Sequence, residues 1–391
     1  MKTESHHFAE YVSPGHPDRL ADAIAESIVD HAMARDDRAL VGVEVAVHTN
    51  KVFVDGRVAW RTQDGPPSPP LVEIAQDVYR HAGYGGPWSP APETLVVTDD
   101  LCREVLSEDE ALIRPHSDDQ NIVCGFATPN LRTNQLPAAH LVANRIGRHL
   151  FRWRKETVVD CGGKRQPARE IFGPDFKLLP HLVRLTDSNG EERWRWGRLT
   201  LSIQHVPRFY YEDQHRILFP VVKEACESLA LETGLVGLEQ LEVEQLFLNG
   251  AGDFHIGGPQ GDNGLSGKKL VVDHYGPEVP IGGGALCGKD PHKIDRVGPL
   301  RARQLARQLA VAHNADAHVR LVWSPGDTAP SHVEASLVVD GKQTTVPTSQ
   351  LPPRDWFTIE AVFQDLKLEK IRWRNAAEAG YFASSEHPWE R

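Results

Sequence analysis

Apolar residues recur along this chain with two distinct periods. Between Asp18 and Arg35, Leu20, Ile24, Ile28 and Ala32 fall four apart, which predicts a helix with one buried face. Pro17 suits the first turn of that helix, and Asp18 suits the positive end of its dipole. Val41, Val43, Val45 and Val47 then alternate with Gly42, Glu44, Ala46 and His48, predicting a half-buried strand with Glu44 on the face opposite the valines. Val52-Phe53-Val54 reads as a second strand, and Asp55-Gly56 as a tight turn. Residues 65–70, Gly-Pro-Pro-Ser-Pro-Pro, read as a stiff surface linker, 71–82 as a helix, and 94–98 as a short buried strand.

In the second half, Leu199, Leu201 and Ile203 alternate with Thr200, Ser202 and Gln204 in another strand. Residues 221–233 read as a helix opened by Pro220. Residues 245–248 and 269–273 read as short strands, and 301–313 as the interior of a long helix. Strands follow at 318–323 and 332–339, the latter closed by Asp340-Gly341. Strands mixed with helices, with hairpin signals between them, predict an α+β protein in several similar layers rather than a doubly wound parallel sheet.

At 391 residues the chain is long for one core and sufficient for two or three compact units. Lys plus Arg number 43 and Asp plus Glu 54, a formal charge of −11. That balance argues against non-specific nucleic-acid binding and leaves room for a local basic pocket. No apolar run reaches the roughly 18 residues of a membrane helix, and the first residues hold no apolar signal core. Cysteines at 102, 124, 161, 226 and 287 are odd in number and form no C-x-x-C pair. They point away from disulfides or structural zinc, and toward a cytoplasmic setting.

Glycine and charge concentrate between Asn249 and Arg296. Gly283-x-x-x-x-Gly288-Lys289 matches most of a phosphate-binding loop, but Asp290 stands where the magnesium-binding Ser or Thr would be. The glycines still let backbone N–H groups approach an anion closely. Asp290 as N-cap and Pro291 in the first turn predict a helix start there, flanked by Lys289 and Lys293. The other reading of this segment is a glycine-rich hairpin with solvated lysines. Two more segments draw notice. Ser13-Pro14-Gly15-His16-Pro17-Asp18 is either a phosphate and metal site or a plain capped helix start. Asp118-Asp119-Gln120 reads as an acidic turn.

These segments occur together in a known pattern. S-P-G-H-P-D-R-L-A-D at 13–22 resembles S-E-G-H-P-D-K-I-A-D of the S-adenosylmethionine synthetases. I-G-G-P-Q-G-D-N-G-L-S-G-K-K at 256–269 is similar to that family's I-G-G-P-x-G-D-x-G-L-T-G-R-K. G-G-G-A-L-C-G-K-D-P-H-K-I-D-R at 282–296 resembles its G-G-G-A-F-S-G-K-D-P-x-K-V-D-R, and the end of the chain, 380–390, resembles its C-terminus.

The resemblance implies three related subdomains of mixed or antiparallel sheet packed with helices, in pseudo-threefold arrangement. Their interleaved boundaries would be 1–14 with 130–257, 15–107 with 258–297, and 108–129 with 298–391. It implies a homodimer or dimer of dimers with active sites between subunits, acting in the cytoplasm without nucleic acid or membrane. The substrates would be ATP and L-methionine or a related small molecule. Two Mg2+ ions per site and K+ would be required. His16 would lie near the triphosphate and the carbon under attack. Asp18 and Asp295 would bind magnesium, and Glu44 potassium. Lys177, Lys268, Lys269 and Lys289 would hold the triphosphate. Phe254 would stack on adenine. Asp119, Asp262 and Lys293 would face the amino acid.

The implied chemistry is attack of a thioether sulfur on C5′ of ATP with tripolyphosphate leaving. Sulfur loses no proton, so no general base is required. In-line placement and neutralisation of the leaving group by lysines, a histidine and magnesium ions are what the step needs. The same cluster could then hydrolyse the bound tripolyphosphate to phosphate and diphosphate.

The departures from the pattern concentrate around the amino acid. The family's G-A-G-D-Q-G is here His116-Ser117-Asp118-Asp119-Gln120-Asn121, and its gating loop has no counterpart in the shorter, acidic 98–115. Arg57 stands where the family has a glutamate that holds the methionine ammonium. At about 4 Å and an effective dielectric near 20, the attraction lost and the repulsion gained in such a charge swap are each roughly 4 kcal/mol before screening. Arg57 either repels an ammonium and alters acceptor preference, or points to solvent. The leading expectation is therefore a methionine adenosyltransferase. The alternatives are adenosyl transfer to another nucleophile, tripolyphosphate hydrolysis alone, or an idle regulatory homologue.

Overall fold

A computed structural model describes residues 3–61, 69–339 and 341–391. The expected linker therefore lies outside the described residues as far as Ser68, as does Asp340 of the expected closing turn. Three sheets of four or five strands dominate, each covered by helices, with a separate two-stranded ribbon at Val158–Cys161 and Lys164–Pro167.

The first sheet runs in the order Thr3–Phe8, Phe172–Thr186, Glu192–His205, Leu246–Leu248, with Tyr11–Val12 also on the second of these. Leu178, Leu182, Leu199, Leu201 and Ile203 turn inward against Ala143, Ile146 and Leu150 of helix Ala138–Glu156 and Leu218, Val222 and Cys226 of helix Tyr211–Thr233. Pro220 sits inside the latter helix instead of opening it. A mid-helix proline removes a hydrogen bond, and the buried residues flanking it hold the helix together across the gap.

The second sheet is Gly264–Leu265, Leu40–His48, Lys51–Trp60, Val96–Val105. The alternating valines pack on helix Pro17–Met33 through Leu20, Ile24 and Ile28, all fully buried, as the spacing predicts. The third sheet is Lys342–Thr345, His332–Val339, Asp316–Trp323, Asn121–Ala127, backed by helix Ile294–His313. The second and third sheets share one continuous core, and the first has its own.

Several local expectations are corrected. The hairpin between 40–48 and 51–60 turns at Thr49-Asn50, and Asp55-Gly56 lies inside the second strand. Gly56 has φ +105°, and a Cβ there would come within 2.2 Å of Gly42 O; the glycine serves a close strand approach, not a turn. The strand expected at 94–98 runs Val96–Val105, is mostly exposed, and pairs in parallel with 51–60. Residues 270–273 form a single helical turn, not a strand. The helix expected to start at Asp290 begins at Ile294, because the Asp290 carboxylate accepts from Val41 N at 2.8 Å and from Arg114.

Candidate active site

The start of helix Pro17–Met33 carries the first part of the site. His16 is its N-cap: Nδ1 accepts from Asp18 N at 3.1 Å, which leaves the ring proton on Nε2. Burial above all, and then the nearby Lys177, push the His16 pKa down to about 3 against the pull of Asp18. The imidazole is therefore neutral at pH 7. Asp18 is also buried. Its Oδ1 accepts from Leu265 N at 3.0 Å, its Oδ2 pairs with Lys269, and Lys268 Nζ lies 3.8 Å away. Burial opposes its charge, but Lys269 and the Leu265 amide hold the carboxyl below its ordinary value.

A cavity of about 400 Å³ opens beside this helix start, and His16, Lys177, Phe254, Asp262 and Asp175 line it. Lys177 reaches it from strand Phe172–Thr186. Phe254 is held by two bonds to His205: its N–H donates to Nε2 at 3.1 Å, and its carbonyl accepts from His205 N at 3.0 Å. Asp175 is buried and accepts from Gly258 N at 2.8 Å. Burial pushes its pKa up to about 6, although the Gly258 amide and Lys177 pull it down. Asp262 is exposed at the rim, with its carboxylate accepting from Asn263 N.

The second part lies on the glycine-rich loop. Residues 288–290 extend the second sheet: Val43 N donates to Gly288 O at 2.9 Å, and Asp290 N to Val41 O at 3.0 Å. Gly288 has φ +75°, and a Cβ there would meet Val43 O at 2.3 Å, so only glycine fits. Lys289 Nζ lies 2.9 Å from Asp295 Oδ2, whose Oδ1 accepts from Asn121 Nδ2 at 2.5 Å. Lys293 pairs with Asp118. Asp119 folds back on the chain, accepting from Gln120 N at 2.7 Å. Glu44 is exposed on the second sheet and accepts from Ser266 Oγ at 2.6 Å.

Within one chain the structure thus brings His16, Asp18, Lys177, Phe254, Asp262, Lys268 and Lys269 together, and separately Lys289, Lys293 and Asp295. Among the described residues no hydrogen bond or ion pair joins a member of one group to a member of the other. Asn121, which bonds Asp295, and Asp118, which pairs with Lys293, join the candidates; the Asp118-Asp119-Gln120 turn draws notice in the sequence, but only Asp119 within it carries an expected role. Asn121 and Asp118 both sit in the segment that departs from the family pattern.

Asp18, Asp295 and Glu44 offer oxygen donors, the chemistry that Mg2+ and K+ select. Each of the two aspartates is paired with a lysine. Another trio of ligand-type side chains, His205, Asp253 and His255, lies within 4.8 Å. It does not fit a metal. His205 Nδ1–H donates to Val206 O at 3.0 Å and Nε2 accepts from Phe254 N, so neither nitrogen has a free lone pair.

Arg57 is half-exposed and is held by two carboxylates. It bonds Glu104 at 2.9 Å and Glu110 at 2.5 Å. Glu110 also closes a capping box with Ser107 at the start of helix Glu108–Ile113. The two carboxylates balance the guanidinium, which weakens any repulsion of an ammonium at this position.

Comparison with solved structures gives the fold first. An unusual S-adenosylmethionine synthetase from Campylobacter jejuni superposes with a TM-score of 0.79 over 99% of this chain and 97% of its own, at 24% identity. The sequence gives the family. Residues 4–89 match the S-adenosylmethionine synthetase N-terminal domain and 256–391 the C-terminal domain. The S-adenosylmethionine synthase of Zymomonas mobilis is 32% identical, covering 98% of this chain and 95% of that protein, and that of Thermus thermophilus is 28% identical with similar coverage. The chain belongs to the S-adenosylmethionine synthetase family.

Proposed function

We propose that this protein is a methionine adenosyltransferase that joins ATP and L-methionine into S-adenosylmethionine and releases phosphate and diphosphate. The observation that carries this reading is the 400 Å³ cavity where Phe254, His16, Lys177 and Asp262 converge beside the Asp18–Lys269 pair. An aromatic ring at one place and fixed cations at another suit adenine and triphosphate.

In this reading Phe254 stacks on the base and Lys177, Lys268 and Lys269 hold the triphosphate. His16, neutral and protonated on Nε2, contributes a hydrogen-bond donor rather than a charge. The positive charge that stabilises the departing tripolyphosphate comes from the lysines. Asp18 and Asp295 would hold Mg2+ and Glu44 K+, the magnesium supplying further neutralisation of phosphate charge. Lys293 and Asp262 face the amino acid. Asp118, through Lys293, takes part of the role expected of Asp119.

The separation of the two residue groups supports assembly as a homodimer or a dimer of dimers, with the Lys289 group of one copy completing the cavity of the other. The strands of each sheet fall within one of the three expected interleaved subdomains, which supports that division. Five free cysteines support a cytoplasmic setting, and no helix among the described residues is long and apolar enough to cross a membrane. Because Arg57 is balanced, nothing at that position favours an acceptor other than methionine.

The test is direct. Protein incubated with ATP, L-methionine, Mg2+ and K+ should yield S-adenosylmethionine, phosphate and diphosphate in equal amounts by mass spectrometry and phosphate assay. ADP with a phosphorylated acceptor would overturn the reading.

A further inference from the structure

Helix Ala138–Glu156 carries five Arg and Lys side chains, and they fall into two sets. Arg145 pairs with Glu232 at 3.2 Å, and the buried Arg154 donates to Phe172 O at 2.7 Å. Arg148, Arg152 and Lys155 make no ion pair or hydrogen bond among the described residues. Spacings of four and three put these three on one face of the helix, and all of them line a groove of about 430 Å³. His81 of helix Leu71–Ala82 and Asn375 and Glu378 of helix Trp373–Ala379 line it as well. The groove therefore lies where the core of the first sheet meets the core shared by the other two. Two carboxylates share the lining. Glu378 is taken by His81 at 2.8 Å, which leaves Glu156, exposed at the helix end, against three cations.

Tyr11 also lines the groove, and it is only 5% exposed. Its ring is seated on Gly147, where a Cβ would meet Tyr11 Cδ1 at 2.1 Å. Glycine is unfavourable inside a helix, and here it admits the ring next to Arg148. A buried tyrosine hydroxyl ordinarily has a hydrogen-bond partner, and this one has none among the described residues. Burial above all, and then Glu378, push its pKa up, so the hydroxyl keeps its proton and is a donor. Two unpaired guanidinium groups and an unpartnered buried donor thus converge on one groove.

We propose that this groove is an anion site of its own, apart from the cavity beside His16, and that it takes a short chain of phosphates, free or as the tail of a nucleotide. The two linings share no residue. Guanidinium forks match pairs of phosphate oxygens, so Arg148 and Arg152 supply the geometry. Lys155 adds a point charge, and the Tyr11 hydroxyl adds a neutral donor. Several phosphate charges answer three cations where a single carboxylate would answer one. Phe151 is itself buried and offers no open face to a base, so the phosphates are what the groove recognises.

Amide exchange of the full-length protein, with and without inorganic tripolyphosphate, tests this. Tripolyphosphate should slow exchange at least threefold over residues 147–156 and 374–380. Arg148→Gln combined with Arg152→Gln should abolish that slowing. Tyr11→Phe, which keeps the ring on Gly147, should raise the concentration giving half of it about threefold. If the double variant does not fold, Arg152→Gln alone, at an exposed position, should raise that concentration at least threefold. Equal slowing by ATP would show that a nucleotide's tail is accepted, and slowing by tripolyphosphate alone would show that free polyphosphate is the ligand; either supports the proposal. Equal slowing by citrate would mean charge attraction without phosphate recognition, and overturns it. So does a parent that shows no slowing over 147–156, or a Tyr11→Phe protein that matches the parent. Slowing that survives in the arginine variants but is lost in Lys268→Met would place the ligand beside His16 alone, and overturns it too.

Discussion

Lys289 Nζ stands 2.9 Å from Asp295 Oδ2, so the lysine proposed for phosphate and the acid proposed for magnesium are ion-paired with each other. Arrival of a magnesium-bound triphosphate would exchange this one ion pair for two better-matched ones. Lys289→Met should lower kcat by about 10²-fold, the scale of losing one preorganised charge at a departing anion. Asp295→Asn should raise the magnesium concentration needed for half-maximal rate at least tenfold. Both variants should keep the parent's circular dichroism. A normal magnesium dependence for Asp295→Asn would remove that residue from the metal site.

Arg57 yields a prediction opposite to the one its sequence position suggests. As a replacement for an ammonium-binding glutamate, Arg57→Glu would improve methionine use. In the structure the new carboxylate would instead face Glu104 and Glu110, where Arg57 now bonds both. Like charges at that range repel. Arg57→Glu should therefore speed amide exchange over residues 107–113 and fail to lower the KM for methionine. A lower KM with unchanged exchange would restore the simpler view.

That reversal shows where the sequence is legible. Helix 17–33 and strand 40–48 are readable because their caps and periods lie within a few residues. His16, Asp18, Lys177 and Phe254 are readable because they sit in contiguous motifs. The partners of Arg57 are about 50 residues away, and no local pattern points to them. Strand Phe172–Thr186 escapes notice because Pro174 and Pro180 interrupt its alternation, and pairing with Glu192–His205 sustains it. Helix Ala138–Glu156 escapes because its arginines blur the apolar face, and one of them, Arg154, is itself buried and donates to Phe172 O at 2.7 Å. Asp290 looks like a helix cap locally, and its carboxylate is claimed by Val41 and Arg114 from distant strands and loops.

Asp175 sets a pH dependence of stability. Its folded pKa is raised to about 6 from an ordinary 3.8 by burial. The folded chain therefore holds this proton more tightly than the unfolded chain. Its stabilising contribution is full below about pH 4 and is lost as pH rises through 6. Asp175→Asn should remove the burden, since the amide oxygen can still accept from Gly258 N. The gain at pH 8 should be at most about 3 kcal/mol, and it should vanish near pH 4. Unfolding midpoints of parent and variant at pH 4.5 and pH 8 check this, and an equal difference at both would mean Asp175 ionises normally.

Arg296 ties the far end of the chain to the Lys289 loop. It is fully buried and bonds both oxygens of Glu26, at 2.8 and 2.7 Å, while Nε and Nη2 donate to Lys289 O at 3.1 and 2.8 Å. Its guanidinium lies 4.2 Å from the centre of the Trp373 ring, and Tyr381 donates its hydroxyl to Glu26. Glu26→Gln leaves a buried guanidinium without its counter-charge and should cost about 3–5 kcal/mol. Tyr381→Phe removes one hydrogen bond to a charged group and should cost about 1.5–3 kcal/mol. Replacing the pair together, Glu26→Leu with Arg296→Met, should cost less than the sum of the single changes, because neither charge is then left alone. It should nevertheless free the Lys289 carbonyl, so amide exchange over 287–290 should rise even where stability is largely recovered. Stability that recovers with exchange at the parent's level would show that Arg296 holds Glu26 alone and that the loop is fixed by its strand contacts to Val41 and Val43.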